Sequence, residues 1–153
     1  MPINKVKQFL DSESVRYVTV THSPAYTAQE IAAAAHIPGK NLAKTVIVKL
    51  DGAMAMAVLP ATRKLDLDLL REASNAALVE MATEQQFADE FAGCEIGAMP
   101  PFGNLYDMPV YVAESLVEDQ YIAFSAGSHT ELIQLAYADF ARLVQPTVAP
   151  LSR

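Results

Sequence analysis

The chain has 153 residues, 52% of them hydrophobic and 19% charged, which fits one domain with a sizeable core and excludes a disordered chain. Its one cysteine, Cys94, excludes an internal disulfide, and a reducing cytoplasm is the default setting. The longest uncharged stretches are broken by Pro, Gly or polar residues, so none reads as a membrane span. The amphipathic start, MPINKVKQFLDSE, does not read as a signal peptide. No CxxC pair, HExxH or P-loop occurs, and three scattered histidines speak against a metal site.

A net charge of −7 taken alone argues against a nucleic-acid partner, but the charge is unevenly spread. Residues 1–71 hold nine Lys/Arg and six Asp/Glu, a balance of +3, whereas residues 72–153 hold two and twelve, a balance of −10. A nucleic acid would therefore approach through Lys40, Lys44, Arg63 and Lys64; ordinary surface charge is the plainer reading.

In chain order, Ile3, Val6, Phe9 and Leu10 recur at helical spacing and predict an amphipathic helix over 3–12. Tyr17–Thr21 is β-branched and predicts a short strand. Thr27-Ala28-Gln29-Glu30 fits a capping box and opens an alanine-rich helix to about His36, ended by Pro38-Gly39. Strands follow at 44–50 and 53–59, joined by Asp51-Gly52, a strong hairpin signal. Residues 65–73 read as helix and 77–81 as a short strand. Thr83-Glu84-Gln85-Gln86 resembles a second capping box, opening a helix to about Phe91. Residues 92–108 form a Gly/Pro-rich loop. Strands are expected at 110–113, 121–125 and 132–136, with a closing helix at 138–144. The fold class is α+β, one domain, with an antiparallel-rich sheet.

A two-residue turn at Asp51-Gly52 would set Leu50 opposite Ala53, Val48 opposite Ala55, Val46 opposite Ala57 and Lys44 opposite Leu59. Directly opposed residues share a face. The Lys44 face thus carries alanines on its partner strand, and the other face carries Met54, Met56 and Val58, which suit core filling. The alanines either leave space beside Lys44 or receive a closely packed helix. An ammonium at the mouth of such an apolar run is a strand-end surface charge, or it awaits an anion that the chain does not supply.

Two glycine-bearing stretches follow. Gly97-Ala98-Met99-Pro100-Pro101-Phe102-Gly103 has flexible ends and a stiff middle, suited to holding backbone groups around a ligand or to a tight connection. Phe124-Ser125-Ala126-Gly127-Ser128-His129-Thr130 places a bend after an apolar strand. Neighbouring Ser128 and His129 would point apart in a strand, so they do not make a catalytic dyad by adjacency. His129 reads as a polar pocket wall or a turn residue. His22 and His36 read as structural, and Cys94 as a small half-buried residue.

Together, "NLAKTVIVK", "VLPATRKLDLDLLREA", "GAMPPFG" and "FSAGSHTELI" resemble the YbaK/prolyl-tRNA-synthetase editing-domain family over nearly the whole chain. The resemblance implies a curved, mostly antiparallel sheet or barrel surrounded by helices. It also implies hydrolysis, in trans, of the ester joining a wrong amino acid to the 3′-terminal adenosine of tRNA. Its pocket lysine maps onto Lys44, and its glycine-centred loop onto Gly127, with Ser128 and His129 beside it. Its GxxxPFG loop maps onto Gly97, Pro101, Phe102 and Gly103. A charged residue often follows the loop glycine in relatives; here it is Ser128. Lys44 would then hold the terminal phosphate or ribose, and the Gly127 N–H would hold the ester carbonyl. Tyr26, Ile31, Phe124 and the alanine face would wall a small cavity. The resemblance implies no cofactor and no metal. Attack would be substrate-assisted, by water on the adenosine 2′-hydroxyl or by a substrate thiol. The expected substrate is a small amino acid such as alanine or cysteine, on tRNA for proline. The expected partner is the tRNA acceptor end, with a synthetase as a further possibility and no membrane. A non-hydrolytic module for a nucleotide or tRNA end and a synthetase-associated subunit are the alternatives.

Overall fold

The computed structural model describes residues 2–23, 27–91, 94–95 and 98–152. Helix α1 (Pro2–Ser12) leads into strand β1 (Tyr17–Thr21). Helix α2 (Ala28–Ala35) begins at the capping box read from the sequence: Thr27 Oγ1 accepts from the Glu30 N–H, and the Glu30 carboxylate accepts from the Thr27 N–H, both at 3.1 Å. It ends where His36 takes a left-handed conformation. Strands β2 (Leu42–Leu50) and β3 (Ala53–Pro60) follow, then α3 (Leu67–Ser74), β4 (Val79–Met81) and α4 (Glu84–Phe87). The Thr83 capping box is also present, with Gln86 as its reciprocal partner. The chain closes through β5 (Val110–Ala113), α5 (Glu114–Val117), β6 (Tyr121–Ser125), β7 (Glu131–Ala136), α6 (Tyr137–Val144) and β8 (Thr147–Ala149).

The strands form one sheet in the order β1-β7-β6-β2-β3-β5-β8, with β4 also paired to β2. Antiparallel pairings lead parallel ones by four to three. The β2–β3 hairpin has the expected register, with Lys44 opposite Leu59 and Val46 opposite Ala57. Asp51 and Gly52 both take positive φ, 51° and 87°, the geometry that matches the twist of a two-residue hairpin. The Asp51 carboxylate also accepts from the N–H groups of Ala77 and Leu78, which pins the start of β4 to the turn. Two elements were not foreseen. Helix α5 is one turn, too short to show a period, and β8 is three residues between prolines, recognisable only through its pairing with β5.

The hairpin's two faces divide the core. Ile47, Met56 and Val58 join the largest cluster, with Leu10 of α1, Phe102, Phe124 and Phe140. On the opposite face, Val48, Ala55, Ala57 and Leu59 are buried with Leu70 of α3 and Leu151. The alanines therefore receive a packed helix and leave no hollow; small side chains let α3 approach the sheet closely. A third cluster, Ile31 and Ala32 of α2 with Leu42, Ala123 and Leu132, covers the neighbouring part of that same face. Among the described residues no helix is long and apolar enough to cross a membrane.

Close packing on the alanine face predicts that Ala57→Leu lowers stability by about 1–3 kcal/mol through overpacking. Urea unfolding of the variant checks this; an unchanged midpoint would mean that the face is hollow after all.

Candidate active site

Lys44 shares its face of β2 with Leu42 and Val46. Leu42 is covered by α2 and Val46 packs into the α3 cluster, so the lysine emerges in the seam between the two helices. Its environment lowers its pKa from the ordinary 10.5, first through burial and then through the positive charge of Lys64. Among the described residues Lys44 forms no ion pair. Among the described residues the side chain is thus a half-buried cation without a carboxylate partner, an arrangement that can receive an anion.

Beside it the sheet is open. Strand β2 pairs with β6 only at Leu42–Ala123 and Ala43–Phe124, and with β4 only from Val48 onward. Between these stretches the Ile47 carbonyl accepts from the Ala82 N–H on the same edge. Backbone alternation then places the main chain of Thr45 in the gap. A cavity of about 30 Å³ lies there, lined by Ile31, Leu42, Ala43, Lys44, Thr45, Met99 and Ser125. It has room for roughly one water molecule or a group of that size. A far larger hollow, about 1060 Å³, opens elsewhere beside α1 and β1, lined by Tyr17, Tyr121 and Gln134 among others. It shares no residue with the Lys44 cavity and is a broad surface groove, so size does not identify the site.

The two glycine-bearing stretches meet at this gap. The Gly127 N–H donates to the Ala98 carbonyl at 2.7 Å, and the Glu95 N–H donates to the Gly127 carbonyl at 2.9 Å. The Glu95 carboxylate accepts from the His129 N–H at 3.1 Å and lies 3.6 Å from His129 Nε2. Ser128 Oγ accepts from the Thr130 N–H, and the Thr130 carbonyl accepts from the His22 N–H. Gly127 has φ +109°, a conformation that a side chain would oppose. The bend is thus laced to the 94–98 segment on one side and to β1 on the other. One expectation needs correction here: the Gly127 amide is already bonded within the protein, so it frames the cavity and is not the open donor for an ester carbonyl.

The other expected residues divide by position. Ile31 lines the cavity beside Lys44. His129 is buried in the laced bend, with Ser128 half-buried next to it. Phe102 and Phe124 are fully buried in the core, ring against ring at 5.3 Å in an edge-to-face contact. Pro101 is buried next to them, and Gly103 is where a Cβ would collide with the Met108 carbonyl. None of these four lines the cavity; Phe102 and Phe124 belong to the main core cluster. Tyr26 and Gly97 lie outside the described residues. Sequence reasoning missed Thr45, Met99 and Ser125 as lining and Glu95 as the tie. The first three sat inside the quoted motifs; for Glu95 no local signal existed.

The family model for the aminoacyl-tRNA editing domain matches residues 22–143. The chain belongs to this family. Its class of activity is therefore aminoacyl-tRNA hydrolysis, as for other aminoacyl-tRNA editing domains. The chain is similar to the multifunctional Ser/Thr-tRNA deacylase ProXp-y of Escherichia coli, strain K12, at 29% identity over 94% of this chain and 89% of that protein. Among solved structures, the fold is similar to that of a candidate trans-editing enzyme for prolyl-tRNA synthetase: TM-score 0.84, 20% identity, 99% of this chain and 97% of the other. It is also similar to that of a hypothetical protein: TM-score 0.86, 20% identity, 97% of this chain and 99% of the other. At such identities these two likenesses concern the editing-domain fold alone.

The lowered pKa of Lys44 gives a measurable signature. In an NMR titration of the lysine side chains, Lys44 should deprotonate below the ordinary lysine value of 10.5, and Lys64→Ala should move its midpoint back up. The folded chain holds this proton less tightly than the unfolded chain, so this group's effect on stability becomes more favourable as pH rises toward 10.5. A Lys44 midpoint at the ordinary 10.5 would remove the desolvated-cation description.

Proposed function

We propose that this editing domain removes a small, wrongly attached amino acid from the 3′ end of a tRNA, acting on the substrate in trans. The observation that carries the reading is the half-buried Lys44 ammonium, without an ion pair among the described residues, beside a cavity of about 30 Å³. A lysine is a good point charge for phosphate. It would grip the phosphate of the terminal nucleotide and bring the aminoacyl ester to the gap between β2 and β6.

The acyl carbonyl then faces the main chain of Thr45, whose N–H is aligned along the open edge of β2. A fixed backbone donor at that point would stabilise charge developing on the carbonyl oxygen. The residues lining the cavity are apolar, hydroxyl-bearing or lysine. We assign the attack to a water activated by the 2′-hydroxyl of the terminal adenosine, with the protein supplying position and electrostatics.

The cavity's size supports alanine, cysteine or serine as the acyl group. Larger side chains would be excluded sterically, while one missing methylene discriminates only weakly. Thr45 and Ser125 give the cavity polar lining, and the Escherichia coli relative is named for serine and threonine. Both support adding serine to the alanine and cysteine expected from the sequence. The tRNA for proline is the first candidate carrier.

Purified protein should deacylate at least one tRNA in a panel charged with Ala, Cys, Ser and Thr. Lys44→Ala should lower the rate at least about 100-fold, with the circular-dichroism spectrum and melting curve preserved. A panel in which wild type clears nothing, or a Lys44→Ala protein as active as wild type, would sink the reading.

A further inference from the structure

The loop from β3 to α3 crosses the seam in which Lys44 sits. Ala61 at its start is buried with Ile31 and Leu42 under α2. Leu65 near its end packs with Val48 and Leu70 under α3. Its path is fixed between these anchors. The Ala61 N–H donates to the Leu42 carbonyl at 2.9 Å and the Arg63 N–H to the Pro60 carbonyl at 3.0 Å. The Thr62 methyl lies so close to Gly39 that a Cβ there would sit 2.7 Å from it.

Two adjacent cations stand on this loop, and they face different ways. Arg63 lines a separate hollow with Glu114, Ser115 and Leu151. Lys64 is exposed and close enough to Lys44 for its charge to act there. The remaining nearby cation, Lys40, exerts its charge on Asp119. Among the described residues neither Lys44 nor Lys64 forms an ion pair. Two ammonium groups close enough to feel each other's charge repel. A polyanion that spans both converts that repulsion into attraction.

We propose that Lys64 is a positioning residue that holds the phosphate preceding the one gripped by Lys44, so that the acceptor strand is clamped at two successive phosphates while Arg63 takes no part. This rests on the deacylase reading and deepens it. One point charge fixes where a phosphate sits but leaves the strand free to swing about it. A second contact fixes the strand's direction and so aims the ester at the gap beside Thr45.

The test compares wild type, Lys64→Ala, Lys64→Arg and Arg63→Ala. Binding of an RNA oligonucleotide ending in CCA, with a non-hydrolysable amide-linked serine at its 3′ end, is followed by fluorescence anisotropy across a salt series. Lys64→Ala should raise Kd roughly fivefold and lower the slope of log Kobs against log[salt] by about 0.7, one single-strand phosphate contact. Lys64→Arg should restore most of both, and Arg63→Ala should track wild type. In turnover of mischarged tRNA, the Lys64→Ala defect should lie mainly in KM. A Lys64→Ala protein with the wild-type Kd and salt slope would overturn the clamp, as would an Arg63→Ala defect of equal size. Because binding is read without turnover, a wild type that binds but never deacylates defeats the deacylase reading alone, and the salt slopes still decide the clamp.

Discussion

The arrangement depends on keeping one ammonium half out of water with no counter-charge among the described residues. Burial disfavours the charged form of Lys44, and the charge of Lys64 disfavours it further. A lysine in the free chain would meet neither penalty. The fold must therefore hold the group in the seam against both, and it does so through neighbours that cannot yield. Leu42 and Val46, two residues away on either side, are anchored under different helices. The hairpin register fixes Lys44 opposite Leu59. On the proposed reading, a phosphate placed beside Lys44 would relieve this cost, and the cost would become affinity for an anion.

The cavity wall follows the same logic. A sheet normally satisfies every main-chain group along a central strand, yet β2 is left open between its pairings with β6 and β4. The opening survives because the flanking loops are tied elsewhere. The Ala98–Gly127 and Glu95–Gly127 hydrogen bonds hold the bend after β6 away from β2. The Glu95 carboxylate adds a second hold through His129. In the main core, Phe102 contacts Phe9, Phe124 and Phe140 edge to face, which fixes the segment that follows Met99 of the cavity lining. The two motifs quoted for the family are in large part this frame, with the chemistry carried by the space they enclose.

Local signals were legible in the sequence, and long-range ones were not. Both capping boxes, the Asp51-Gly52 turn and the hairpin register depend on residues within a few positions of one another, and each appears as expected. Alternation along β2 and β3 separated a methionine face from an alanine face correctly. It could not say whether the alanines faced a void or a helix, because the answer lies with Leu70 and Leu151 far along the chain. The parallel β2–β6 pairing, and hence the gap beside Thr45, joins residues 81 positions apart. Glu95 carries no motif of its own; its role arises only where the 94–98 segment meets Gly127 and His129. Gly127 shows the converse limit, since its positive φ fits a bend while its amide is bonded inward.

The proposed two-lysine clamp bears on how an acidic chain meets RNA. The net charge is −7, and the segment from residue 72 onward carries −10. At physiological salt, charges farther than about 8 Å apart are largely screened, so carboxylates beyond that distance would do little to a phosphate held, as proposed, between Lys44 and Lys64. The negative net charge would instead disfavour RNA approach in general, with the two-lysine rim as the proposed exception. The protein thereby gains orientation at the expense of overall affinity. For a proofreader this is a workable balance. Tight generic binding would hold correctly charged tRNA as well, whereas a weak grip at one rim leaves discrimination to the cavity, where the acyl group itself is measured.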